Sequence, residues 1–350
     1  MKQKQWDLML AAASGRELPD VPVALIVDSP WIPGYVGMST LDYYTDQQAW
    51  WNSQQKIRAD FPDVLFIPDY WTEFGMACEP SGFGCKLNFY ENQPITIQHI
   101  ISSADDVESL DNIALPNPNR DGLMPLVLNY YRKTAKLARD IGDPVRMVAA
   151  RGPLNVATHM IGVTEFLVAM KIYPESAHKL LKKTSTLNRM WLEAQAEAVG
   201  GVEGIMLLDD IIGFLSPEDF EEFAFPYIKE VYDSFSVPVK FLHNDTDNPV
   251  SYSRLADMGV NMFNFTFEKS LSGTRKMCGD SVCLVGNIPP LHVLGNGTPE
   301  QVTADVLARL DDYGSKKGII MSAGGGASMG MPGANLQAMI TATKEWSGRK

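Results

Sequence analysis

Short apolar runs alternate along this chain with longer amphipathic stretches, and each run stops at polar or aromatic residues. Val21 to Val27 (VPVALIV) reads as a buried strand that ends at Asp28, and Val64 to Ile67 is a second. Val145 to Ala149, Ile205 to Leu208, Val237 to Leu242, Asn261 to Phe265, Val282 to Val285 and Gly318 to Met321 continue the series. Helical periodicity fills most of the gaps, at residues 46–59, 122–141, 162–170, 174–199, 249–258, 269–277, 299–313 and from Pro332 onward. Eight strands alternating with helices predict a parallel sheet, and that count favours an α/β fold of the (β/α)8 TIM-barrel kind over a doubly wound open sheet. No composition break interrupts residues 1–350, so one domain is expected, opened by an amphipathic helix at the N-terminus. Residues 76–120, rich in Gly, Pro, Asn and Ser with a short strand at Ile95-Thr96-Ile97, read as an insertion or lid.

The stretch from Glu203 to Asp245 condenses the pattern. Ile205-Met206-Leu207-Leu208 breaks at Asp209-Asp210, and Val237 to Leu242 breaks at His243-Asn244-Asp245. Between them, Ser216-Pro217-Glu218-Asp219 supplies an N-cap, a proline at the first helical position and a capping-box acid. The unit is strand, helix, strand, with its polar groups at the strand C-terminal ends, where barrels and open sheets alike place their ligands.

Charge narrows the partners. A net charge of -12 and a pI near 4.9, with no Lys/Arg cluster, argue against nucleic acid and against an anionic membrane surface. No segment approaches the length that spans a bilayer. Four scattered cysteines, Cys78, Cys85, Cys278 and Cys283, do not make a disulfide scaffold, so a reducing cytoplasm is the expected compartment. The glycine-rich run at 322–333 lacks the Lys-Ser/Thr of a phosphate loop and reads as a tight turn near a ligand.

The candidate chemistry gathers on the Glu203–Asp245 unit. Asp209, Asp210, Glu222, His243 and Asp245 offer the oxygen and nitrogen donors of a zinc-type site with an open position. His243, Asp245, one of Asp209 or Asp210, and Asn287 are expected to face one cavity at the mouth, with His243, Asp210 and Asn287 as catalytic candidates. Trp31, Tyr35, Trp71 and Phe74, with Asp28, follow strand ends and are candidates for an aromatic substrate pocket.

The segments VPVALIVD, RGPLNVATHMIGVTEFL, YPESAHKLL, LLDDIIGFLSPEDFEEFAFPYIKEV, FLHND, VGNIPPLHVLGNGTPEQV and IIMSAGGGASMGMPGANLQAM occur in an order that resembles the uroporphyrinogen decarboxylase and cobalamin-dependent methyltransferase superfamily. The resemblance runs from about residue 17 onward and implies a (β/α)8 barrel. After the first strand the decarboxylase branch carries an arginine-rich signature; here Asp28 to Tyr35 holds no arginine. The thiol methyltransferases bind zinc through His-x-Cys and a later Cys, whereas here His243 is followed by Asp245 and Gly325 stands in the glycine turn.

What remains is similar to the methyltransferase I component of anaerobic aryl methyl ether O-demethylase systems, whose proposed zinc ligands are carboxylates and a histidine. The resemblance places His243 and Glu222 among those ligands, with Asp209 or Asp210 in place of an earlier Glu that would fall on Leu207. It implies a corrinoid-protein-dependent methyltransferase that passes a methyl group, from an aromatic methyl ether first among small donors, to cobalamin carried by a partner corrinoid protein. Two other readings stay open, a decarboxylating lyase and a non-catalytic barrel that binds, and the sequence leaves open whether the chain forms a homodimer.

Overall fold

Alternation of side chains along each strand decides what enters the barrel and what faces the helices. The computed structural model describes residues 1–27 and 31–349. Its strands are β1 (Val23–Ile26), β2 (Val64–Ile67), β3 (Lys86–Asn88), β4 (Thr96–Gln98), β5 (Met147–Arg151), β6 (Gly204–Leu208), β7 (Val239–Asn244), β8 (Met262–Phe265), β9 (Cys283–Val285) and β10 (Ile319–Ile320). Strands β5 to β10 pair in sequence, each neighbour parallel, and β1 pairs parallel with β2. A parallel bridge from Val23 to Met321 joins the two sets, with the Ala24 N–H donating to the Met321 carbonyl at 2.9 Å. The eight strands form the expected (β/α)8 barrel.

Among the described residues β2 and β5 share no ladder. The segment that leaves β2 supplies acceptors instead: Asp69 Oδ2 takes the Arg146 N–H at 3.0 Å, and Glu79 Oε1 takes the Arg151 N–H at 2.8 Å. Arg151 itself reaches Glu73 Oε2 at 2.7 Å. The joint is made by carboxylates rather than by backbone carbonyls.

Inside the barrel lies one apolar cluster that includes Ala24, Ile26, Leu65, Ile67, Met206, Leu208, Phe241, Met262 and Val285. The residues between them, such as Leu25, Phe66, Ile205, Leu207, Leu242 and Leu284, belong to the outer cluster covered by helices. Helix Gln3–Ala13 adds Trp6 and Met9 to the inner cluster. Trp6 Nε1 donates to Glu203, one residue before β6, so this helix closes the N-terminal end of the barrel.

Residues 76–120 carry a short helix Cys78–Gly82, the antiparallel hairpin β3–β4 and helix Val107–Asn112. The N–H groups of Ile100 and Ile101 both donate to Met160 O, at 2.9 and 3.0 Å, which ties the excursion to the end of helix Pro153–Ile161. That helix was not expected, since helical periodicity after β5 is predicted only from residue 162, yet Pro153 is well placed at a helix's first position. The helix expected over 249–258 is replaced by turns and a single 3-10 turn, Tyr252–Arg254; Ser251, Tyr252 and Ser253 are weak helix formers.

Phe241 points into the barrel with 0% exposure. Phe241→Ala should lower stability by about 3–5 kcal/mol in a denaturant titration, because the rigid strands around it cannot collapse onto the cavity. A loss near that of a surface substitution would show that the inner cluster is not close-packed.

Candidate metal centre at the strand ends

Strand register carries the apolar inner layer directly into polar chemistry. Leu208 on β6 is opposite His243 on β7, His243 is opposite Asn264 on β8, and Asn264 is opposite Val285 on β9. Residues opposite one another in a parallel ladder share a face, and Leu208 and Val285 lie in the inner cluster, so His243 and Asn264 point inward too. Two residues further along their strands, Asp210 and Asp245 keep the same parity. The ligand atoms of Asp210, His243 and Asp245 lie within 4.8 Å of one another. His243 Nε2 is 3.6 Å from Asp210 Oδ1, with the imidazole nearly buried at 8% and Asp210 partly open at 32%.

The ring's protonation follows from its neighbour. Asn264 gives both amide hydrogens to carbonyls, of Val285 at 2.7 Å and Ala323 at 2.9 Å, so its oxygen is what faces His243 Nδ1 at 2.7 Å. Nδ1 must therefore donate, and Nε2 meets the two carboxylates. Burial lifts the Asp245 carboxyl above its ordinary range; His243 opposes that lift and Asp210 adds to it. Two acids crowded beside a nitrogen lone pair form a donor set that a divalent cation would stabilise. The three residues fit a metal with an open position.

The glycine turn completes this geometry. A Cβ built on Gly325, whose φ is +139°, would stand 2.7 Å from Asp245 Oδ2. Position 325 thus abuts position 245, and only a residue without a side chain leaves the Asp245 carboxylate where it is.

Other expected site residues are placed elsewhere. Asp209 faces outward, as its odd position after Leu208 requires, and its Oδ2 accepts from the Leu154 N–H at 2.9 Å, at the start of helix Pro153–Ile161. It caps a neighbouring helix, and a Cβ on Gly152 would fall 2.3 Å from it. Glu222 lies apart from the cluster: its carboxylate is 56% exposed and meets His178 Nε2 at 3.3 Å on the outer helical layer. Asn287 is engaged as a loop staple: it donates to the Thr266 and Lys269 carbonyls and accepts from Arg309.

The aromatic candidates divide in the same way. Trp31 is fully buried, donates to Met331 O at 3.0 Å and packs on Tyr35 and Phe61. Tyr35 bonds Asp60, and Phe74 stacks on Tyr44 at 5.1 Å, so these three fill space between helices. Trp71 alone joins the inner cluster, with the Arg151 guanidinium 5.2 Å from its ring. Asp28 lies outside the described residues. Asn264 and Arg151 were missed as site residues, although a lone Asn after Met262-Phe263 and an Arg at the end of a buried strand are visible polar interruptions.

Burial is the main reason that the Asp209 carboxyl is pushed from 3.8 up to about 8. Between those values the folded protein holds a proton that the unfolded chain has released, so this group's stabilisation is whole below about pH 4 and is lost as pH rises through about 8. Asp209→Asn should flatten that part of the stability–pH curve, measured by denaturation at several pH values. An unchanged slope would mean that Asp209 is ionised throughout.

With the site in view, comparison with known proteins is informative. The uroporphyrinogen decarboxylase (URO-D) family profile matches residues 4–346. The uroporphyrinogen decarboxylase of Pseudoalteromonas translucida is 26% identical over 303 residues, covering 83% of this chain and 78% of the relative. That of Chlorobaculum tepidum is 27% identical over 281 residues, 76% of each chain. Among solved structures, a methyltransferase from Methanosarcina mazei superposes with a TM-score of 0.82 at 19% identity, covering 97% of both chains. A B12-independent methionine synthase from Shewanella sp. W3-18-1 also matches, with a TM-score of 0.57 at 9% identity over 94% of this chain and 97% of that one. At such identities these two structures share the fold alone. Since the family profile spans nearly the whole chain, the chain belongs to the uroporphyrinogen decarboxylase family.

Proposed function

We propose that this chain is a corrinoid-protein-dependent methyltransferase, which removes the methyl group of a small methylated substrate, an aromatic methyl ether first, and passes it to the cobalt of a partner corrinoid protein. The observation that carries the reading is the Asp210, His243 and Asp245 cluster at the barrel mouth. The sequence between Asp28 and Tyr35 supports it from the other side, because it offers no arginine for the carboxylates of a porphyrin.

An aryl alkoxide leaves poorly, so demethylation of an ether needs charge withdrawn from its oxygen. A zinc ion held by His243 Nε2 and the Asp210 and Asp245 carboxylates would supply that Lewis acidity. Oxygen and nitrogen ligands leave the ion more electrophilic than thiolates would, which suits an ether better than a thiol substrate. The chain's own residues would do the rest: the carboxylates and the imidazole would fix the ion at the mouth, and the apolar layer beneath, Met206, Phe241 and Met262, keeps water from below.

Purified protein mixed with reduced corrinoid protein and a panel of methoxyaromatics, methylamines and methanol should change the cobalt spectrum with at least one donor. Carbon dioxide released from uroporphyrinogen with no corrinoid protein present would replace this reading with the decarboxylase one. Stable metal binding with no turnover of any substrate would leave a binding barrel.

His243→Ala and Asp210→Asn should each lose most bound zinc by elemental analysis and most methyl transfer. Glu222→Gln should keep both and shift stability by no more than about 0.5 kcal/mol, as for a solvated helix acid. Zinc lost on Glu222→Gln would return that residue to the centre. Exchanging residues 76–120, with Glu79 kept, for another sequence of the family should change donor preference and leave the barrel folded; unaltered kinetics across the panel would remove the excursion from substrate selection.

A further inference from the structure

We infer that Asn264 is the positioning residue that makes His243 Nε2 the ligand atom, by holding the imidazole in its Nδ1–H form. Three bonds on one fully buried side chain carry this. The amide of Asn264 is 0% exposed. Its nitrogen is fixed by two backbone carbonyls, those of Val285 at 2.7 Å and Ala323 at 2.9 Å. The first belongs to β9 and the second to the turn after β10, so the amide is pinned by two different strand ends. Turning it over would aim its oxygen at both carbonyls and strand them without donors. The oxygen is thereby committed to His243 Nδ1, 2.7 Å away.

An oxygen in that place accepts only, so Nδ1 carries a hydrogen in every protonation state of the ring. Nε2 is left with the lone pair, and it is the nitrogen facing Asp210, in the cluster that includes Asp245. Had the amide been free to rotate, neutral His243 would place its proton on Nε2 against Asp210, and the lone pair would point away from the carboxylates. Asn264 touches no ligand position itself; it acts through the ring. The inference deepens the metal reading of the same site and rests on it for its consequence, though not for its geometry.

The decisive measurement is the tautomer of His243 in metal-free protein labelled with 15N-histidine, by long-range proton–nitrogen correlation at a pH where imidazoles are neutral. The chain has 5 histidines, and the His243 signals are those lost in His243→Ala. Wild-type protein should show a hydrogen-bearing Nδ1 and a bare Nε2. Asn264→Leu should mix the two tautomers and weaken zinc binding, measured by chelator competition, by about 10–100-fold. Asn264→Asp, which keeps an accepting oxygen toward Nδ1 but strands the Val285 and Ala323 carbonyls, should keep the wild-type tautomer at lower stability.

A hydrogen on Nε2 in the wild type would overturn the inference, and so would an Asn264→Leu protein with wild-type tautomer and zinc affinity. Should Asn264→Leu fail to fold, the wild-type spectrum still decides. Zinc binding absent from a wild-type protein whose Nδ1–H form is intact would end the metal reading while supporting the role of Asn264.

Discussion

Parallel register is the constraint on which this molecule depends. Because Leu208, His243, Asn264 and Val285 are opposite one another across four neighbouring strands, they occupy one layer, and the chemistry of the layer changes where the sequence changes. Below it, Met206, Phe241, Met262 and Cys283 form a dry floor. A slip of one residue in β7 would turn His243 and Asp245 toward the helices and bring Leu242 inward, so the packing of the floor and the geometry of the centre are secured together. Folding the core and assembling the site are one event.

Desolvation sets the electrical character of the mouth. Ionisable groups held away from water near the mouth are answered locally: Arg151 by Glu73 and by the Trp71 ring, the Asp209 carboxyl by the start of a helix, Asp245 by His243. Arg151 and Glu79 also stand where the ladder between β2 and β5 is missing, and there the Glu79 carboxylate accepts the Arg151 backbone N–H while the Arg151 guanidinium pairs with Glu73. Removing either partner would leave a buried charge unanswered, which costs more than such a pair contributes.

Much of this was legible from residue order. Apolar runs ending at Asp28, Asp209-Asp210 and His243-Asn244-Asp245 placed the strands and the end at which chemistry sits, because buried parallel strands are marked by unbroken hydrophobicity. Parity was legible in principle as well, and it separates Asp209 from Asp210 once Leu208 is known to point inward. The aromatic residues were a different matter. Trp31 and Phe74 follow strand ends yet turn into the helical layer, and nothing local distinguishes a ring that lines a pocket from one that fills a gap. Glu222 illustrates the same limit: its place on the chain fitted a ligand pattern, but the irregular turn Phe220–Ala224 packs it against His178 outside the barrel. Asn264 passed unnoticed because its importance lies in what holds it, two carbonyls from distant strands, and not in its neighbours along the chain.

The pairing of Gly325 with Asp245 has a consequence beyond geometry. With oxygen at position 245 and no side chain at 325, the centre contains no sulfur. The four cysteines of the chain are all buried elsewhere, and burial pushes their thiols up, Cys85 to about 11 and Cys278 and Cys283 to about 12, with Cys78 raised as well. Oxidants attack thiolates, and this protein presents almost none. A brief encounter with air or peroxide should therefore leave the centre chemically intact, and under the proposed methyl transfer any sensitivity to oxygen would reside in the redox state of the corrinoid protein and not in this barrel.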